Sequence, residues 1–351
     1  MGGIGVSGAM LVRALRDPVS VVGLDADQWT ALLAAARAEQ LIGSLAFRLD
    51  GIPIPAAARR VLDDARAAAE QGRMAALWEA EMARRALGPT DMPVVLLKGT
   101  AFVAAGLAAG VGRQIGDLDI LVPRDRIDEA EALLLTAGWE WVKPDPYDDA
   151  YYRQWMHELP PLIHRERDRM IDVHHTILPL TARVRPDAAR LIARSVALEN
   201  GLRILSREDI VIHAAAHLIA DGDMQGGLRN LWDIDRLCRE FVGEDERFYL
   251  GLYEESWFQG LFDAVTRSLR LAHQIFGTPI ESYVEPIRVD MRARTSDAFF
   301  RRRLLARDGW GQPTRKLTEL AFYLRGHWLR MPPLMLVRHL WTKWRKGHSP
   351  G

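Results

Sequence analysis

The spacing of apolar residues changes along the chain, and the change separates a short sheet-forming region from helical flanks. Residues 1–51 read as short helices, and residues 29–40 carry an apolar stripe that Asp25 or Asp27 can cap. Ile52-Pro53-Ile54-Pro55 is a break. Residues 56–87 predict one long scaffold helix, in which Val61, Leu62, Ala65, Ala69, Met74, Leu77 and Met82 recur at three- and four-residue spacing. Gly88-Pro89-Thr90 ends it.

From residue 94 the apolar runs shorten. Residues 94–97 are continuously apolar and read as a buried strand. They stop at Lys98-Gly99-Thr100, a tight turn whose glycine lets the backbone come close to a ligand. A small-residue helical segment follows, then a strand over 117–122 that opens with two acids. Residues 123–137 predict a helix starting at a proline and closed by Gly138, and 139–143 a short strand. The acidic stretch 144–150, with two prolines, reads as a loop. Residues 157–165 and 170–175 flank Glu166-Arg167-Asp168 and predict an antiparallel hairpin.

The remainder is helical. Residues 186–195 form one helix, and 202–205 a short strand or linker. Ser206 and Asp209 resemble a capping box at the start of the next helix. A Gly-rich turn spans 221–227. A helix over 228–241 follows, with an Arg229–Asp233 pair at i, i+4. Residues 248–276 read as a helical pair broken near Gln259-Gly260, and 317–344 as helix interrupted by Pro332-Pro333.

Composition adds bounds. At 351 residues, 48% apolar and 26% charged, the chain has the make-up of a globular protein with room for two domains. No apolar run approaches the length of a membrane span, no leader pattern opens the chain, and the lone Cys238 excludes an internal disulfide, so a cytoplasmic location is expected. Cys238 reads as a buried, inert thiol. The net charge of zero conceals a polarity. Residues 291–351 hold 14 Lys or Arg against 3 Asp or Glu, leaving 32 against 43 elsewhere. A basic tail of this kind docks on the acidic body or on an anionic partner or surface.

The candidate chemistry sits in the strands. Asp117 and Asp119 share a strand face about 7 Å apart. Two carboxylates on a buried face repel, and a divalent cation relieves the repulsion. Asp172, at the centre of a later strand, can lie beside them as a third acid. His174 falls on the Asp172 face, where it can contact a phosphate or help orient the metal shell, and His175 falls opposite. His157 and His164 read as structural; the helical His213/His217 pair reads as lining the cleft or satisfied in the core rather than as a zinc site, since it lacks the glutamate of a zinc-protease motif. Tyr151, Tyr152 and Trp155 read as packing residues, with base stacking as the alternative.

Taken in order, Gly99-Thr100, Asp117-x-Asp119 and Asp172 resemble the nucleotidyltransferase superfamily, the DNA polymerase beta-like fold. Leu97-Lys98-Gly99, Arg113 and Asp172-Val173-His174 bring the chain close to an uncharacterised bacterial nucleotidyltransferase family, over about residues 41–237. Thr100 stands where the superfamily usually has Ser or Gly. The resemblance implies an α+β fold: a small mixed sheet flanked by helices, with helical N- and C-terminal regions. Together with the residue pattern, this divides the chain into a helical region over 1–90, a catalytic core over 91–205, a helical domain over 206–290 and a basic helical tail over 291–351, about which the resemblance says nothing. Asp117, Asp119 and Asp172 would be both catalytic and metal-binding, with magnesium (or manganese) as cofactor. Lys98, Gly99, Thr100, Arg113 and His174 would contact the nucleotide. The implied reaction moves a nucleotidyl group from a nucleoside triphosphate, ATP or another, to a small-molecule or peptide acceptor, releasing pyrophosphate. The alternative is a catalytically silent binding or regulatory module on the same fold. Nucleic acid is not the expected partner, and the tail leaves weak membrane-surface contact open.

Overall fold

The computed structural model describes residues 6–142, 146–220, 222, 224, 226–280 and 291–330. It is an α+β protein: a seven-stranded mixed sheet set among helices, which also form both terminal regions. The strands are β1 (Val95–Leu96), β2 (Asp117–Leu121), β3 (Trp139–Trp141), β4 (Leu162–His164), β5 (Met170–His174), β6 (Val196–Ala197) and β7 (Arg203–Ile204), in the order β3-β4-β5-β2-β1-β7-β6. β2 runs antiparallel to β1 and parallel to β5, and β5 pairs antiparallel with β4 as the expected hairpin. The central strands are buried at their apolar positions, Leu118, Ile120, Leu121, Ile171 and Val173, and carry the acids Asp117, Asp119 and Asp172 between them.

The long helix Ala56–Leu87 packs along β2 and the helices Lys98–Ala104 and Ile127–Thr136. Leu62, Ala65 and Ala69 of the expected stripe are buried, whereas Met74 is exposed; Ala58, Ala76, Ala80, Ala83 and Leu87 complete the buried face. The many alanines let the helix approach its neighbours closely. Glu79 is buried on this face because Arg167 holds it through two hydrogen bonds, of 2.7 and 3.0 Å.

Residues read as a loop at 144–150 instead enter a helix, Pro146–Trp155. Pro146 occupies its first turn, where no amide donor is needed, and Asp149 pairs with Arg153 one turn on at 2.9 Å. Lys143, Pro144 and Asp145 lie outside the described residues, as do Asp221, Asp223 and Gln225 of the Gly-rich turn. Ser206 caps the helix Arg207–Ala215, accepting from the Asp209 amide. The helices Gly227–Glu244, Phe248–Phe258 and Phe262–Phe276 complete the bundle beside the sheet, with the break at Gln259-Gly260 in place. Cys238 is buried there, and burial pushes its thiol up to about 12. Asp233 bonds to Arg113, and Arg229 acts on it through its charge.

The described part of the basic tail lies on the body. Asp297, in the helix Met291–Leu304, accepts from Arg270 at 2.7 and 3.1 Å, and Arg307 bridges to Glu39 at 2.6 Å. A helix follows over Lys316–Arg330; Pro332-Pro333 and the rest of the expected helix to residue 344 lie outside the described residues. Among the described residues no helix is long and apolar enough to cross a membrane.

Candidate metal and nucleotide site

The site forms where β2 and β5 lie side by side. Asp119 is directly opposite Asp172, and Asp117 lies two residues upstream on the same face. One carboxylate oxygen from each of the three falls within 4.8 Å of the others. Asp117 is exposed, Asp172 half-buried and Asp119 buried. A groove floor of this kind presents charge to solvent on one side and is braced from below on the other.

The bracing groups are Lys98 and His174. Lys98 Nζ donates to Asp119 Oδ1 at 2.6 Å, and His174 Nε2 stands 3.0 Å from the same oxygen. Burial alone would raise the Asp119 carboxyl, but the charge of Lys98 and the His174 hydrogen bond hold it well below the usual range. Asp172 moves the other way. Burial first, then the charges of Asp119 and Glu158, push it up to about 7. Burial works against the charges of Lys98 and His174, yet both are raised because their carboxylate neighbours outweigh it.

Asp172 Oδ1 is buried and has no hydrogen-bond partner among the described residues. An orphaned carboxylate oxygen beside two more carboxylates is the donor set of a hard divalent cation. The three acids therefore fit such an ion.

The turn after β1 is tighter than a simple loop. Lys98 takes the left-handed conformation, φ 48°, at a cost of about 1–2 kcal/mol. The chain thereby passes from β1 into the helix Lys98–Ala104 with only Leu97 between them, and Lys98 Nζ reaches Asp119. At Gly99 the close approach is made by a side chain of the protein itself. An added Cβ would stand 2.5 Å from Arg113 Nε and 3.2 Å from Ile115 Cγ1. Arg113 is buried, lies over the Phe102 ring at 5.2 Å and donates to Asp233. Burial pushes Asp233 up and Arg113 pulls it back, leaving it raised. Thr100 is also buried, and its hydroxyl has no partner among the described residues.

Lys98, Phe102, Arg113, His213, His217 and Arg229 line a narrow crevice between this turn and the helical bundle. His213 is buried there, and burial, then the Lys98 charge, hold it well below its ordinary value. Among the described residues, His213 and His217 belong to no group able to hold a metal. The roomier cavities, of about 480 and 740 Å³, lie past the C-terminal ends of β2 and β5 around Arg124 and His175. Trp155 lines the first of these, and Tyr151 packs edge-to-face on Tyr152 at 6.2 Å.

Two residues at the site, Asp233 and Glu158, carry no sign in sequence of a place there. Asp233 is a helix residue whose expected partner was one turn away. Glu158 precedes two prolines and shows no motif; only its pairing with His174 brings it in. His213, read in sequence as lining the cleft or satisfied in the core, lies buried against the turn carrying Lys98.

No curated protein matches the chain. A family model does, and its match is wider than the motifs suggested, running from Asp25, which caps the helix Ala26–Ala38, through the helical bundle that supplies Asp233. It covers residues 25–277 and is described as an uncharacterised nucleotidyltransferase, and the chain belongs to that family.

Proposed function

We propose that the protein is a magnesium-dependent nucleotidyltransferase that moves a nucleoside monophosphate from a triphosphate to an acceptor and releases pyrophosphate. The observation that carries this reading is the meeting of Asp117, Asp119 and Asp172 on adjoining strands, with Lys98 at their edge. Bound to the three carboxylates, magnesium would neutralise phosphate charge and favour in-line displacement. Asp172, raised toward neutrality by its surroundings, is placed to accept the acceptor's hydroxyl proton once a cation lowers its affinity for its own. Lys98 supplies positive charge beside the departing pyrophosphate. The Thr100 hydroxyl and the Gly99 amide are the donors for a phosphate oxygen. Arg113, engaged by Asp233, fixes the turn that carries them. His174 orients Asp119 from behind. The acceptor is a small molecule or a peptide.

The test is nucleoside-triphosphate-dependent thermal stabilisation and pyrophosphate release, with each of the four triphosphates, with and without magnesium. Wild type is expected to be stabilised by one triphosphate only when magnesium is present, and Asp119→Asn to lose both the stabilisation and turnover while keeping its fold. Magnesium-independent binding that survives Asp119→Asn would instead indicate a silent binding module. The Lys98–Asp119 ion pair, which neutralises that acid without an ion, is what such a module would also need.

A further inference from the structure

Behind the acid cluster is a second group of metal-ligating side chains with a different chemistry. Residues 157–159 pair antiparallel with the end of β5. Leu159 N donates to Val173 O and His175 N to His157 O, both at 2.9 Å, and Glu158 bridges to His174. This pairing gathers two imidazoles and one carboxylate. One ligand atom from each of His157, Glu158 and His174 lies within 4.8 Å of the others.

The separations suit a shared ion better than direct bonds. Glu158 Oε2 is 3.4 Å from His174 Nδ1 and 3.6 Å from His157 Nε2. A charge-assisted hydrogen bond would close to about 2.7–2.9 Å. Ligand atoms held about 2.0–2.1 Å from one tetrahedral ion are about 3.4 Å apart. His174 is 2% exposed at its side chain, and its buried Nδ1 has no hydrogen-bond partner among the described residues. Its other nitrogen, Nε2, lies against the Asp119 carboxylate. A histidine that ligates through one nitrogen while a carboxylate holds the other is the usual arrangement around a bound transition ion, because the carboxylate fixes the tautomer and makes the ligand more basic.

We infer that His157, Glu158 and His174 form a binding site for a first-row divalent transition ion, distinct from the hard-cation site at Asp117, Asp119 and Asp172. Two imidazoles and a carboxylate favour zinc, cobalt, iron or manganese over magnesium. Three protein ligands leave a position for water or a substrate oxygen. Asp119 touches His174 directly, so the two sites share one carboxylate as a common wall. The inference stands apart from the transferase reading, since it concerns ligation and needs no turnover.

The experiment uses the full chain, stripped of metal by chelator and titrated with Co²⁺ in excess Mg²⁺. One equivalent of Co²⁺ is expected to bind, with visible absorption and with strongly shifted histidine N–H proton resonances in the wild type. His157→Ala and Glu158→Gln should weaken Co²⁺ binding at least about tenfold, while Asp117→Asn changes it by less than about threefold. Each variant's thermal melt confirms that it is folded. Absence of shifted histidine resonances in the Co²⁺-loaded wild type overturns the site without relying on any variant. So does a loss in Asp117→Asn equal to that in His157→Ala, which would place the ion on the three aspartates. Failure of triphosphate binding, by contrast, would leave the histidine signals in place.

Discussion

Lys98 Nζ stands 2.6 Å from Asp119 Oδ1, so a cation already lies on the most buried of the three acids. The pair is screened little by solvent, with Asp119 only 4% exposed at its side chain. Lys98→Met leaves that carboxylate buried with His174 alone. Stability in metal-free buffer is expected to fall by roughly 2–3 kcal/mol. Saturating magnesium should then recover more stability in the variant than it adds to wild type. Thermal melts with and without magnesium decide this; an equal magnesium effect in both proteins would mean that no cation reaches Asp119.

Asp172→Asn should separate stability from activity. The carboxyl is crowded by burial and by the charges of Asp119 and Glu158, and its Oδ1 has no partner. An amide of the same shape removes the repulsion. Metal-free stability at pH 8 is expected to rise by about 1–2 kcal/mol, while pyrophosphate release disappears. Urea unfolding alongside a turnover assay checks both. A variant less stable than wild type would show that the acids are already relieved by something else.

Gly99→Ala tests whether the turn has any slack. The new methyl would meet Arg113 Nε at 2.5 Å, and Arg113 cannot retreat without leaving Asp233. The expected cost is about 1–3 kcal/mol, with reduced triphosphate binding because the Lys98 turn is displaced. Chemical denaturation and a binding titration measure the two effects. An alanine accepted at no cost in either would mean that Arg113 is not held.

His213 should give the protein a distinctive acid sensitivity. Its folded value lies well below the ordinary 6.5, through burial and the nearby Lys98 charge. Between those two values the unfolded chain binds a proton that the folded one refuses. Stability therefore rises with pH up to about 6.5 and is lost as the pH falls below it. His213→Gln, which keeps a polar group but cannot titrate, should flatten this part of the curve. Unfolding free energies between pH 5 and pH 8 for both proteins supply the comparison, and parallel curves would remove His213 as the source.

How much of this was visible in the chain depended on how local each relationship is. The alternation of Asp117 and Asp119, and of Asp172 and His174, follows from strand geometry alone, and the hairpin before Asp172 from its turn residues. The pairing of Asp119 with Asp172 could be expected once both were read as buried strands, because each needs a neighbour. Other contacts depended on how distant elements dock. Asp233 had a plausible partner one turn away in Arg229, so nothing in the helix pointed to Arg113. Met74 has the right period to be buried, yet the alanines beside it won, because close approach to the sheet is set by the smallest side chains. Residues 144–150 carried proline and acid signals of a loop, but Pro146 and the residues after it start a helix. The role of Glu158 came from a single bridge to β5.

The buried bond between Arg113 and Asp233 joins a residue just ahead of β2 to the helical bundle near the far end of the family match. A fragment ending before Arg207 would lose both Asp233 and the helices that cover Arg113, and would leave the turn that carries Lys98 without its anchor. Cutting the chain between sheet and bundle therefore severs a support of the acid cluster itself.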